Sequence, residues 1–237
     1  MMSMETVVKA FEKKGYTVSC FETRQQAVDY LKESIRGKRV GFGGSQTLTE
    51  LDLRHVLAED NTVFVPDFAP EGENFVTVAD KAKSADIFLT SANAVSENGE
   101  IINIDGYCNR LAGALLPHQK VYYIIGSNKI GGTLEEAIHR ARNVAAPKNA
   151  LRLHCKTPCA MAVVKRLEQE YAETHPDEGF DQLDWQRFIE GLSEDQLGTH
   201  CYDCQSPGRI CGSMSVHLKK PGASPAEVII IDEHIGF

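Results

Sequence analysis

Residues 38–57, KRVGFGGSQTLTELDLRHVL, open with a short β-branched and aromatic run, turn at Gly43-Gly44-Ser45, and continue with Leu48, Leu51, Leu53 and Leu57 on a helical face. The glycines let the backbone reverse without side chains in the way. The run and the stripe read as strand, turn and helix, a βα unit of the kind that builds parallel sheets. Upstream, Val7, Val8 and Phe11, then Ala27, Tyr30, Leu31 and Ile35, predict helices over 4–14 and 24–36 around a strand at 16–21, so 1–36 forms an N-terminal helical and strand segment. Downstream, strands are expected at 62–65, 85–89 and 100–104, with a helix inside 74–84. The run VYYII at 121–125 reads as a central parallel strand buried on both faces. Thr133 and Glu136 predict a capping box opening a helix over 134–144, which Pro147 ends, and VIII at 228–231 returns to the sheet. The expected fold over 1–237 is one α/β domain: an open, mainly parallel, Rossmann-like sheet with helices on both faces.

Composition narrows the function classes. The 237 residues carry a net charge of −8 with scattered lysines and arginines, which argues against nucleic acid, since phosphate binding needs a basic stripe. No apolar run approaches the ~20 residues that span a bilayer, and the N-terminus lacks a signal-like core, so a cytoplasmic protein without a membrane partner is expected. No heptad or apolar stripe marks an interface, and a homo-oligomer stays open. Seven cysteines, an odd count, suit a reducing compartment better than a disulfide framework.

Those cysteines cluster. Cys159, Cys201-x2-Cys204 and Cys211, with Cys155 just before the first, fall in a region at 155–211 that also holds a helical insert or lid at 160–200, including Trp185, Phe188, Ile189 and Leu192. Thiolates from tight turns can surround one ion, and Cys159, Cys201, Cys204 and Cys211 are the expected metal ligands. The lack of a regular finger or ribbon spacing favours an iron–sulfur centre, [4Fe-4S], over zinc, which remains the alternative. Buried thiols acting as small hydrophobes are the plainer reading.

Polar residues gather where the apolar strands end. Gly43, Gly44, Ser45 and Thr47 offer backbone amides and hydroxyls to a phosphate or carboxylate. Asn93, Glu97, Asn103, Asp105, Gly106, Asn109 and Arg110 follow the next strands, and Asn128 and Lys129 follow VYYII. In open α/β sheets this edge is where ligands bind. Asp105 and Glu97 are candidate general bases, Lys129 a third candidate catalytic group, and Arg110 a bidentate carboxylate clamp. Ordinary turn chemistry would use several of the same residue types.

The segments GGSQTL (43–48), ADIFLTSANAVSENGEIINIDGYCNR (85–110), IIGSNKI (124–130), ARNVAAPKNALRL (141–153), TPC (157–159) and CYDCQSPGRIC (201–211) together resemble the lactate-utilisation (LUD) domain family in its cysteine-bearing branch. The resemblance runs from about Gly37 to Phe237 apart from the insert. It implies a fold related to ribose-5-phosphate isomerase, glucosamine-6-phosphate deaminase and the CoA transferases. It also implies ligand contacts at Gly44, Ser45 and Thr47, a polar pocket at Asn93, Glu97, Asn103, Asp105, Asn109, Asn128 and Lys129, and the cysteine motif at Cys159, Cys201, Cys204 and Cys211. The chain departs from the branch by placing about forty residues between Cys159 and Cys201.

The resulting expectation is a metabolic iron–sulfur protein that binds a small hydroxy acid, keto acid or sugar phosphate. The family implies a link to oxidation of L-lactate to pyruvate, with electrons passed to iron–sulfur partner proteins. Two alternatives stay open: a lyase or isomerase using an open iron site as Lewis acid, and a non-catalytic accessory subunit with a structural zinc.

Overall fold

The computed structural model describes residues 4–177, 192 and 200–237. Six strands form one parallel sheet: β1 (Thr17–Phe21), β2 (Arg39–Phe42), β3 (Thr62–Phe64), β4 (Ile87–Thr90), β7 (Lys120–Gly126) and β9 (Ala226–Ile231), in the order β1-β9-β7-β4-β2-β3. The VYYII run is central, with β7 pairing β4 on one side and β9 on the other. Strand side chains alternate between faces. Tyr122 and Ile124 accordingly meet helices α2 (Arg24–Ser34), α3 (Gln46–Glu50) and α4 (Leu53–Ala58), while Val121, Tyr123 and Ile125 meet α1 (Met4–Lys13), α5 (Phe75–Lys83) and α6 (Asn109–Leu115). Burying each such side chain contributes about 1.5–3 kcal/mol, so both faces are needed. Helix α5 approaches closely at Gly41 of β2, where a Cβ would stand 2.1 Å from the Ala82 carbonyl oxygen.

The expected α/β architecture with helices on both faces is present, and four local features differ from the sequence expectation. The leucine face after Ser45 is two short helices, because Asp52 takes a left-handed conformation (φ 49°) between α3 and α4. The strand at 100–104 belongs to a second, antiparallel sheet of β5 (Ala94–Val95), β6 (Ile101–Asp105) and β8 (Ser213–His217). Pro147 does not end the helix opened by the Thr133–Glu136 capping box. Helix α7 (Leu134–Arg140) runs through a π-turn at Ala141–Ala145 into α8 (Ala146–Arg152), and Pro147 follows that π-turn directly, where the i to i−4 ladder is already interrupted. Pro158 opens a helix, α9 (Pro158–Thr174), so Cys159 sits in a helical first turn and not in a loop. The insert expected at 160–200 therefore begins as α9; Trp185, Phe188 and Ile189 lie outside the described residues, and Leu192 is buried beside α8 and α9.

The cysteine-rich metal-binding region is a correction. Cys159, Cys201, Cys204 and Cys211 do line one cavity, but it measures about 20 Å³, room for little more than a single water. Among the described residues no group of three or more His, Cys, Asp or Glu side chains is arranged to hold a metal ion. The sulfurs have other surroundings. Arg142 Nη2 donates to Cys201 Sγ (3.3 Å), Cys159 Sγ pairs with the Thr157 hydroxyl (3.2 Å), and burial first, then the neighbouring Cys159 and Cys201, pushes the Cys211 thiol up to about 11. The [4Fe-4S] and zinc assignments, and the electron-transfer, Lewis-acid and structural-zinc functions built on them, are withdrawn on this finding.

Candidate functional site

Many of the polar residues read from the sequence meet in one crevice and an adjoining recess where the strands end. A crevice of about 570 Å³ is bounded by Gly44 of the glycine turn, Asn93 before β5, Asp105-Gly106 after β6, Asn109 and Arg110 of α6, and Asn149 and Arg152 of α8. A smaller inner recess shares Gly44, Asn93, Arg110 and Asn149 with it and adds Ser45, Ser91, Lys129 and Phe237.

Arg110 is fixed at the junction of crevice and recess. Its Nη1 donates to Asn103 Oδ1 and its Nη2 to Asn93 Oδ1, both at 3.1 Å, and Nη2 also donates to the Ile104 carbonyl. Asn103 is buried and orders the set further: its Nδ2 donates to the Ser91 carbonyl and its Oδ1 accepts from the Asn93 N–H. Asp105 holds the turn into α6, accepting from the Arg110 and Leu111 N–H groups at Oδ2 and from the Tyr107 N–H at Oδ1. Burial lowers the proton affinity of the Arg110 guanidinium, while Asp105 and Asp67 oppose that shift without forming an ion pair with it.

Lys129 sits in the recess at 3% exposure. Its Nζ donates to Thr47 Oγ1 (2.7 Å), Ser91 Oγ (3.1 Å) and the Ala92 carbonyl (3.2 Å). Burial, then repulsion from Arg140 and Arg110, depresses its proton affinity well below the ordinary lysine range, with Glu50 opposing. The side chain is therefore a candidate proton carrier of the kind that burial makes from lysine.

Among the crevice residues that escaped the sequence reading are two polar ones on α8. Asn149 and Arg152 stand one turn apart on α8, where Asn149 Oδ1 accepts from Arg152 Nε (3.0 Å) and Nη2 (2.9 Å). Burial lowers the proton affinity of Arg152, opposed by Asp67 and Cys155. The signal was present as the polar i, i+3 pair in ARNVAAPKNALRL, hidden by treating Pro147 as a stop.

The other expected residues are placed as follows. Ser45 caps α3, its Oγ accepting from the Leu48 N–H, and Gly43 packs so close to Arg110 that a Cβ would meet its Cγ at 2.7 Å. Thr47 is wholly buried beneath Lys129. Asn128 faces the C-terminal tail, donating to the Gly236 carbonyl and accepting from the Ile235 N–H. Glu97 does not line the crevice; its backbone N–H donates to the Gly132 carbonyl.

No helix among the described residues is long and apolar enough to cross a membrane. The chain is similar over 97% of its length, and 99% of the other's, to the crystal structure of a DUF162 family protein from Deinococcus radiodurans, at 12% identity and a TM-score of 0.42. No curated protein matches it. The model of the LUD domain matches residues 4–182, well over half of the chain, and the chain belongs to the LUD-domain family.

Proposed function

We propose that this LUD-domain chain is a metabolic enzyme that takes a small organic anion, the carboxylate or phosphate of a hydroxy acid, keto acid or sugar phosphate, at the inner end of the crevice. One observation carries the reading. Arg110 and Lys129, side by side at the floor, hydrogen-bond only to neutral oxygens: amide and carbonyl groups around Arg110, hydroxyls and a carbonyl around Lys129. Neither touches a carboxylate: Asp105 and Asp67 act on the half-buried Arg110, and Glu50 on the buried Lys129, only from a distance, and an entering anion supplies a direct partner. Arg152 adds a further positive group to the same wall, and Asp67 is the acid that faces it.

The planar guanidinium suits an oxyanion, and a chain with net charge −8 has little other reason to concentrate cations here. Lys129 is the group best placed to move a proton at a substrate carbon or oxygen, because it lies in the recess and burial makes its ammonium readier to give up a proton. The Asp105 carboxylate already accepts from three backbone N–H groups, so its part is to hold the turn that carries Arg110.

Calorimetric titration with inorganic phosphate, pyruvate and ribose 5-phosphate tests the site. At least one should bind, and Arg110→Met should weaken that binding by roughly a hundredfold, the scale of losing one partner of a buried charge pair. Binding by none of the three, or binding untouched in a folded Arg110→Met protein, would remove the anion site.

A further inference from the structure

The crevice is far larger than the anion at its floor requires. Pyruvate has six heavy atoms and displaces on the order of a few waters, at ~30 Å³ each, whereas the crevice of about 570 Å³ is of the size that holds a drug-sized ligand. The space beyond Arg110 is lined differently from the floor. Tyr107 stands 81% exposed at the mouth, its ring 5.4 Å from that of Phe75 at an interplanar angle of 50°, and Leu153, 46% exposed, lines the same crevice.

A lone exposed aromatic needs no explanation, but these are not lone, and the backbone holds both rings in place. Tyr107 lies in a tight turn: its N–H donates to Asp105 Oδ1, and Cys108 follows in the left-handed region at φ 60°. Gly106 before it packs so tightly that a Cβ would stand 3.1 Å from the Ile210 carbonyl oxygen. Phe75 is the first residue of α5, whose cap Asn74 accepts from the Thr77 N–H at 3.0 Å. Both rings are thus presented on fixed backbone at the mouth while contributing little to the core, which is the preorganised arrangement that ring stacking rewards.

We infer that the natural ligand carries a planar heteroaromatic ring as well as its anionic group, is about the size of a mononucleotide, and lays that ring against Tyr107 and Phe75 while the anion reaches Arg110. The inference rests on the anion site proposed above and names the class of compound that fills the rest of the crevice. The apolar body of the ligand occupies the outer half, the charged group the inner half, and the sugar or linker spans the stretch past Asn109 and Asn149.

Paired probes separate the two readings. Adenosine 5′-monophosphate, uridine 5′-monophosphate and nicotinamide mononucleotide each share a ribose 5-phosphate with the ring-free compound and add a different ring. At least one should bind about tenfold or more tighter than ribose 5-phosphate, in keeping with the strength of ring stacking on aromatic side chains. Tyr107→Ala with Phe75→Ala should erase that advantage and leave ribose 5-phosphate binding as it was; Tyr107 is exposed and Phe75 half-buried, and neither packs in the core, so the variant is expected to fold. If ribose 5-phosphate binds and no ring improves it, or if the advantage survives the double substitution, the ring site is overturned and the anion site stands. If nothing binds, both fall.

Discussion

Strand β7 is bracketed by two lysines that the fold treats in opposite ways. Lys120, at its start, lies 2.6 Å from Glu227 Oε2 and 4.7 Å over the Tyr122 ring, and Glu227 Oε1 accepts from Ser19 (2.6 Å) and Tyr30 (2.9 Å). Lys129, just past its end, has three neutral acceptors. Both charges are tied into one sheet, some nine residues apart in sequence. At the N-terminal edge the counter-charge is built in, and the group serves the fold. At the C-terminal edge no carboxylate touches the amine and Glu50 acts only from a distance, which leaves room for the proposed anion.

Removing the built-in partner should produce the largest effect. Glu227→Ala leaves the Ser19 and Tyr30 hydroxyls without their acceptor and Lys120 without its carboxylate. Lys120 is 30% exposed and can turn to water, so the loss should be about 2–3 kcal/mol, below that of a fully enclosed pair. Denaturant unfolding measures it. Anion affinity of the folded variant should not change; a fall in affinity would mean that the two ends of β7 are coupled and that the contrast between them is false.

The same substitution logic runs the other way at Lys129. Lys129→Met replaces an uncompensated buried amine by an apolar chain of similar length, and the Thr47 and Ser91 hydroxyls, 3.2 Å apart, keep each other as partners. The free protein should gain about 1 kcal/mol while losing anion binding, the trade expected where a binding site holds charge at the expense of stability. A destabilised Lys129→Met protein would show that the amine is structural, like Lys120, and would sharpen the question of what Arg110 is for.

What the sequence disclosed follows the same division. VYYII, the Gly43–Ser45 turn and the Thr133–Glu136 capping box were legible because burial on both faces, backbone reversal and a reciprocal cap each need particular residue types at particular spacings. Strand β8 was not, although Met214 and Val216 alternate with Ser213, Ser215 and His217, because the alternation spans only five residues, most of them not buried, directly after the cysteine stretch. Proline misled at Pro147: its missing N–H is a stop inside a regular helix but is accommodated directly after a π-turn, and residue type does not declare which.

Within the crevice, Arg110, Asn93, Asn103 and Lys129 were predictable as polar residues at the ends of apolar strands. Asn149 and Arg152 depended on a helix continuing through a π-turn, and the ring pair of Tyr107 and Phe75 joins residues from separate elements. Asn128 illustrates the limit of residue type: an asparagine at the sheet edge suits a ligand, yet both ends of its amide are engaged by residues 235 and 236. The cysteines carry the same lesson, since CxxC spacing is shared by thiolate ligands and by thiols that line a cavity of about 20 Å³.

The smallest effect is on pH dependence, and it distinguishes the two ends by sign. Burial raises the proton affinity of Glu227, but the Lys120, Ser19 and Tyr30 hydrogen bonds outweigh it, leaving the carboxyl below its ordinary range. Its contribution is therefore present above the ordinary glutamate range and lost as pH falls through the folded value. For Lys129 the folded chain gives up its proton earlier than the unfolded one, so stability rises with pH from the depressed folded value up to the ordinary lysine range. Each slope is limited to about 1.4 kcal/mol per pH unit for one proton. Subtracting the stability profile of Glu227→Gln from that of the parent should isolate the acid limb, and subtracting that of Lys129→Met the alkaline one. Anion binding that restores the proton to Lys129 must also weaken as pH rises and must draw protons from the buffer, which titration in buffers of different ionisation enthalpy reads directly. Proton release on binding, or none at any pH, would place the anion away from Lys129 and leave Arg110 as its only charged contact at the floor.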